Sequence, residues 1–405
     1  MLRFFYQYNN VMSTLLIAII YLAFISLGLP DSLLGSAWPE MHQQMNVPIS
    51  MMGLITMIIS FGTIVSSLFT HVVVKKLGTG LVVVLSTALT ILGLIGFSFS
   101  NQIWMICLFS IPYGLGAGAI DASLNNYVAL NYSSRYMSWL HCFWGVGTII
   151  SPYVMGYAIS SSYGWSTGYL IIGIIQLIIL IILVCSLPLW KKVNNKQNND
   201  KSEEEIQVKN ISPFKIKGLM FVLIGFLCYC ASESTIMLWA SSYLFETKSI
   251  SEDLAANYAS LVFIGLTVSR FVSGFIANKL GDKNMIRLGL FISVIGVVLL
   301  FIPVDNILLS LLGFVIIGFG FGPVYPSIIH ATPSNFGENN SQSIIGIQMA
   351  FAYTGSTFLP PLFGLIADYI NINLLPAFIL LFVILTFVML EILNFVINKR
   401  HKIDN

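Results

Sequence analysis

Three carboxyl side chains, Asp31, Asp121 and Glu233, stand inside long runs of apolar residues. A charge at the centre of a bilayer costs about 3 kcal/mol or more, so such residues are rare and as a rule functional. A carboxyl taken out of water resists ionisation. It can therefore load a proton near neutral pH and release it on rehydration. Asp121 and Asn125 are four residues apart and share a helix face, where together they can hold a proton and a hydroxyl. Asp31 follows Pro30, whose missing N–H can open a helix locally. Trp38, seven residues on, lies on the same face and reads either as a lining residue or as an interfacial anchor. Glu233 falls near the middle of its run, with Trp239 and Tyr243 following as ring-stacking or rim residues. Gln348 stands in a later run with Gly355 seven residues beyond it, and its amide can pair with hydroxyls. Tyr113, Asn126, Tyr325 and Tyr353 are weaker candidates; His71, Arg270, His330 and Asp368 read as interfacial or gating groups near helix ends.

The elements that position these residues follow from composition. Of 405 residues 57% are hydrophobic and 9% charged, against about 25% charged in an ordinary soluble domain. Too few charges are present to cover a watery surface. Leu81–Phe99, Gly168–Leu189, Met285–Pro303 and Leu374–Ile397 each approach the roughly 20 apolar residues that cross a bilayer. Backbone groups in lipid must pair internally, which leaves helices or closed barrels. The runs are too long and too uniform for barrel strands, so the fold class is an all-α membrane protein. The predicted spans are 12–38, 50–74, 80–99, 102–130, 136–160, 165–189, 217–245, 254–280, 285–303, 306–332, 341–369 and 373–397. The segment 190–216, rich in Asn, Lys and Glu, reads as a solvated linker. It divides the chain into six-helix sets at 1–189 and 217–405. Every Lys and Arg except Lys248 falls on one side of this alternation, which places both termini in the cytoplasm by the positive-inside rule. The first apolar block is longer than the core of a signal peptide, so no cleavable leader is expected. The five cysteines lie in apolar blocks without metal or disulfide spacing and read as packing residues.

The two sets echo each other. Gly114, Gly116 and Gly118 correspond to Gly318, Gly320 and Gly322; Lys76-Leu77-Gly78 to Lys279-Leu280-Gly281; Gly147, Pro152 and Gly156 to Gly355, Pro360 and Gly364; and Asp31 to Glu233, at offsets of 202 to 208. Glycines alone are weak evidence, because membrane helices use them for close packing. Ordered matches at nearly one offset are stronger, and they predict two pseudo-symmetric bundles. Gly114-x-Gly-x-Gly lies within a span rather than after a strand, so it does not read as a nucleotide loop. No metal cluster or nucleophile triad is visible, and neither an enzymatic activity nor a cofactor is expected.

Twelve helices in two parallel repeats resemble the major facilitator superfamily, whose substrate sites lie near the bilayer midplane. Gly116-Ala-Gly-Ala-Ile-Asp121-Ala-Ser-Leu-Asn125 resembles the fourth-helix motif of its fucose permease branch, which holds proton symporters of fucose, galactose and glucose. Gly28-Leu-Pro-Asp31-Ser-Leu resembles the branch's other acidic site, and His141-Cys-Phe143-Trp144-Gly145-Val-Gly147 its sugar-facing motif. His141 and Trp144 stand where the fucose permease has Gln and Asn. The superfamily's Gly-x-x-x-Asp-Arg-x-Gly pattern is reduced to His71-x-x-x-Lys75-Lys76-x-Gly78, with a closer copy at Gly274-x-x-x-Asn278-Lys279-x-Gly281. The resemblance implies symport of a sugar or polyol by alternating access. Protons would load at Asp31 and Asp121. Sugar hydroxyls would meet Asn125, His141, Gln348 and Glu233, with Trp144 stacking on the ring and Trp38 and Trp239 as further aromatic contacts. Sodium is the alternative coupling ion, since carboxyls and carbonyls also bind it. The rival readings are a proton-coupled exporter of drugs or metabolites on the same scaffold and a non-transporting sensor; the second would need a soluble signalling domain larger than the loop 190–216. The expected partners are a small-molecule substrate and the lipid bilayer, not nucleic acid, and the expected state is a monomer.

Overall fold

The computed structural model describes residues 2–48, 51–161, 163–200, 216–248, 252–302 and 307–404. Among them, twelve helices are long and apolar enough to cross a membrane. Six are Thr14–Gln44, Met51–Leu77, Thr79–Ser98, Ile103–Asn131, Ser134–Ser160 and Gly164–Trp190; six more are Leu219–Lys248, Ser260–Leu280, Asp282–Phe301, Ile307–His330, Glu338–Tyr369 and Ile372–Lys399. No strand occurs among the described residues. Large apolar side chains face outward all along the spans, including Phe61 at 69%, Phe291 at 64% and Phe395 at 69% exposure. A soluble monomer does not expose apolar surface on this scale, whereas a lipid-facing one must. Buried hydroxyls turn back onto their own helices: Thr63 donates to the Ile59 carbonyl, Thr87 to Val83 and Thr235 to Ala231, which satisfies them without water.

The helices gather into two compact units, Met1–Tyr127 with Phe143–Ile211, and Val128–Cys142 with Ser212–Asn405. The stretch Val128–Cys142 thus clusters with the C-terminal helices, although it precedes the segment 190–216 in sequence. Each unit repeats one packing plan. In the first, the first and third spans lie against the sixth; in the second, the seventh and ninth lie against the twelfth. Two glycines of the repeat mark a further shared contact, of the fifth span on the first and of the eleventh on the seventh. A Cβ on Gly147 would overlap the Ile25 carbonyl oxygen, and one on Gly355 would overlap that of Leu227. Ile25 and Leu227 differ by 202 in number, the offset that relates Asp31 to Glu233.

Three features depart from the sequence reading. The first span continues through Gln44 instead of ending near 38, and it is interrupted at Ser32, between helices Leu2–Asp31 and Leu33–Gln44. The tenth is interrupted after Phe321, where Gly322-Pro323 separates helices Ile307–Phe321 and Val324–His330. The helix begun at Gly164 runs to Asp200, into the predicted linker, of which 201–215 lie outside the described residues.

Enlarging Gly147 therefore sets side chain against backbone, where no rotamer change gives relief. Overpacking costs about 1–3 kcal/mol even where neighbours can adjust. The Gly147→Val variant is expected to lose at least about 2 kcal/mol, read as a lower melting temperature and a smaller monodisperse fraction. Gly156→Val is the control, because a Cβ there meets nothing within 4 Å; equal behaviour of the two would contradict the contact.

Candidate functional site

The site in the first unit begins with a missing donor. Pro30 has no N–H to give the carbonyl four residues back, that of Ser26. The Gln176 amide donates to this carbonyl instead, and Thr90 in turn donates to the Gln176 side-chain oxygen at 3.1 Å. The helix ends one residue later, at Asp31. Ser32 donates its hydroxyl to the Thr148 carbonyl at 2.6 Å and accepts from the Ser151 hydroxyl at 2.9 Å, tying the break to the fifth span. A Cβ on Gly28 would overlap the Trp144 carbonyl oxygen, so the first and fifth spans meet at backbone distance here. That approach brings the Trp144 indole to Asp31: Nε1 donates to Oδ2 at 2.8 Å, while the Tyr113 hydroxyl donates to Oδ1 at 3.2 Å. Asp31 is exposed although it lies midway along its span. Beside it opens a cavity of about 160 Å³ lined by Asp31, Thr56, Ser60, Tyr113 and Tyr169, with apolar walls that include Phe97.

Asp121 and Asn125 meet as their spacing predicts. The Asn125 amide donates to the Asp121 carboxylate at 2.7 Å and lies 3.0 Å from the Asp121 carbonyl. Both are buried, at 5% and 0% exposure, and Asp121 lies within electrostatic reach of Asp31. Trp38 is buried as well, within the extended first span, with its ring 6.1 Å from that of His42.

The second unit treats its carboxyl differently. Glu233 accepts from the Arg270 guanidinium at 3.1 Å, and both are buried. Arg270 corrects the sequence reading: it stands within the helix Glu252–Leu280, at 3% exposure, rather than at an interfacial end. The same guanidinium lies within electrostatic reach of His141, which is buried against Tyr325 in an edge contact with ring centroids 4.7 Å apart. Gln348 is fully buried and accepts from the Thr332 hydroxyl at 2.9 Å, while its amide nitrogen has no partner among the described residues. Trp239 donates to the Pro360 carbonyl at 2.9 Å and packs edge-on against Phe363; its ring occupies the space a side chain on Gly364 would need. His330 pairs with Asp282 at 2.7 Å, and the Ser134 hydroxyl donates to the other Asp282 oxygen at 2.6 Å.

Thus the structure joins Asp31 with Trp144, Asp121 with Asn125, and His141 and Glu233 around Arg270. It commits Trp239 to helix packing and Gln348 to Thr332. Sequence reasoning undervalued Tyr113 and Arg270 and passed over Gln176, whose place in an apolar run was the available signal. Among the described residues no three His, Cys, Asp or Glu side chains gather to hold a metal ion.

The profile of the family described as Major Facilitator Superfamily matches residues 20–348 and 221–403. The chain is 22% identical over 386 residues to Bypass of stop codon protein 6 of Saccharomyces cerevisiae, covering 87% of this chain and 77% of that protein. It is also 22% identical to Multidrug resistance protein 2 of Bacillus subtilis, covering 89% of each. Among solved structures, the transporter FucP in its outward conformation superimposes with a TM-score of 0.75 at 16% identity, over 93% of this chain and 98% of that one. The proton:xylose symporter XylE does so with a TM-score of 0.74 at 13% identity, over 92% and 93%.

The Glu233–Arg270 pair makes a direct prediction. Removing one member of a buried ion pair strands the other and costs about 3–5 kcal/mol, whereas replacing both can be neutral. Arg270→Met is expected to melt several degrees lower than the parent, and the double variant Arg270→Met with Glu233→Gln to regain at least half of that loss. Additive losses in a double-mutant cycle of melting temperatures would show the two side chains to be energetically independent.

Proposed function

The chain belongs to the major facilitator superfamily of membrane transporters, and from that premise we propose that it couples uptake of a sugar or related small polar solute to protons by alternating access. The observation that carries this reading is Asp31. It is acidic, lies midway along a span, is exposed, and has two neutral hydrogen-bond partners, Trp144 and Tyr113. Such a carboxyl can gain and lose a proton without stranding a buried cation. Asp121, within electrostatic reach and paired with Asn125, is the second proton site. A sugar offers hydroxyls and an apolar ring face, and the groups to meet it are Asn125, His141, Glu233 and Gln348, with the half-exposed Trp144 indole for stacking. Trp38 and Trp239 act by packing in this reading. The molecule works as a monomer with both termini in the cytoplasm, as the distribution of Lys and Arg favours.

A second reading, proton-coupled export, has the Bacillus subtilis multidrug resistance relative in its favour. The sign of proton flow separates the two. In proteoliposomes, symport into the lumen alkalinises the medium when substrate is added, and antiport acidifies it.

A thermal-shift screen against sugars supplies the substrate for the decisive assay. One pH unit stores about 1.4 kcal/mol per proton, so one-to-one symport gives up to a tenfold accumulation. The Asp31→Asn and Asp121→Asn variants are expected to hold the inside-to-outside ratio near one while counterflow exchange continues. Full accumulation in both would end the assignment of coupling to these carboxyls.

A further inference from the structure

The cavity beside Asp31 is polar where it need not be. Its lining brings together the Asp31 carboxylate and the side chains of Thr56, Ser60, Tyr113 and Tyr169, drawn from the first, second, fourth and sixth spans. Tyr169 is buried at 1% exposure, and its hydroxyl has no hydrogen-bond partner among the described residues. A buried polar group left unpaired is costly, and cavities that stay dry are lined by apolar side chains. At roughly 30 Å³ per liquid water, the volume of about 160 Å³ holds about five waters. The polar lining and the waters' bonds to one another supply the partners that each requires. Tyr113 uses its proton on Asp31 at 3.2 Å and Thr56 its proton on the Gly53 carbonyl at 2.9 Å, so both oxygens keep lone pairs to accept from water. On the other flank of Asp31, the second carboxylate oxygen is taken by Trp144.

We propose that this cavity is a hydrated proton-loading chamber for Asp31, in which a proton carried by water held at Tyr169, Thr56 and Ser60 is relayed to the carboxylate through the Tyr113 hydroxyl. In the loading step the Tyr113 O–H bond breaks and its proton forms the carboxylic O–H of Asp31. The Tyr113 oxygen takes a proton from a neighbouring hydronium, which leaves as water. Unloading reverses each transfer. No electron transfer or co-reactant is involved. The proposal rests on Asp31 being a proton site, and it adds the route by which the proton arrives.

Difference infrared spectroscopy of the purified full chain after a pH jump reads the route directly. The carboxyl stretch of protonated Asp31 is identified by its loss in Asp31→Asn. Tyr169→Phe keeps the ring and removes the hydroxyl, and Ser60→Leu fills the chamber with an apolar side chain. Both are expected to slow the appearance of the Asp31 band at least tenfold. Tyr169→Phe should also change its solvent deuterium isotope effect, which a purely structural role would leave alone. Wild-type rates in both variants, with the band present, overturn the chamber while leaving Asp31 as the proton site. Absence of an Asp31 band that responds to pH in the parent protein overturns both.

Discussion

Pro30 withholds one backbone N–H in the middle of a membrane span, and the first unit is organised around that loss. In water the orphaned Ser26 carbonyl would be solvated; in an apolar interior it needs a donor from another helix. Gln176 provides it, and Thr90 fixes Gln176, so three spans are pinned at one depth. The same proline permits the helix to stop at Asp31, and the interruption at Ser32 leaves that residue exposed beside the cavity. A continuous helix would have offered only its flank. Donors then come from aromatic residues on the fourth and fifth spans, and the second of these can arrive only because Gly28 lacks a side chain.

The two units solve the problem of a buried carboxyl in opposite ways although they share a packing plan. Asp31 receives neutral donors and an adjoining cavity; Glu233, at the equivalent position, receives a buried guanidinium. Neutral donors weaken little when the carboxyl is protonated, because the acid still accepts hydrogen bonds. A guanidinium loses its counter-charge in the same event and stays buried. The first arrangement tolerates repeated changes of charge, and the second resists them. Repetition of the glycine contacts, Gly147 on Ile25 and Gly355 on Leu227, keeps the backbones alike while the polar residues diverge.

These differences explain what the sequence made legible. Features with a local signature were readable: apolar runs of spanning length, the repeated glycines, the Asp121–Asn125 pair four residues apart. The helix opening at Pro30 was also a local inference. Features that depend on residues far apart in the chain were not. The Asp31–Tyr113 bond joins residues separated by 82 positions and the Ser26–Gln176 bond by 150. Arg270 misled for a physical reason. It lies nine residues before Lys279, the basic residue that ends its helix, with Lys283 and Arg287 following in the next, and charge counting cannot tell a buried guanidinium from a solvated one. The end of the first span, and the helix that continues from the sixth span to Asp200, were not readable because helices run on into polar sequence once their apolar part is anchored. Gln44, for example, is held by Trp165 at 2.8 Å.

The contrast between the carboxyls bears on where energy enters the proposed cycle. A membrane potential does work only on net charge that moves through it, about 2.3 kcal/mol per charge per 100 mV. Glu233 and Arg270 together carry no net charge, so a shift of their helix pair exchanges nothing with the field. Asp31 takes its hydrogen bonds from the neutral Trp144 and Tyr113, and Asp121 accepts one from the neutral Asn125. They carry one charge more when empty than when loaded. In the proposed cycle, coupling to the gradient then falls to the carboxyls of the first six spans, whatever the solute. A carrier built on two identical halves would divide that work evenly. The loss of symmetry at the acidic positions, set against its retention at the glycines, is what leads the proposed cycle to place that work on one side.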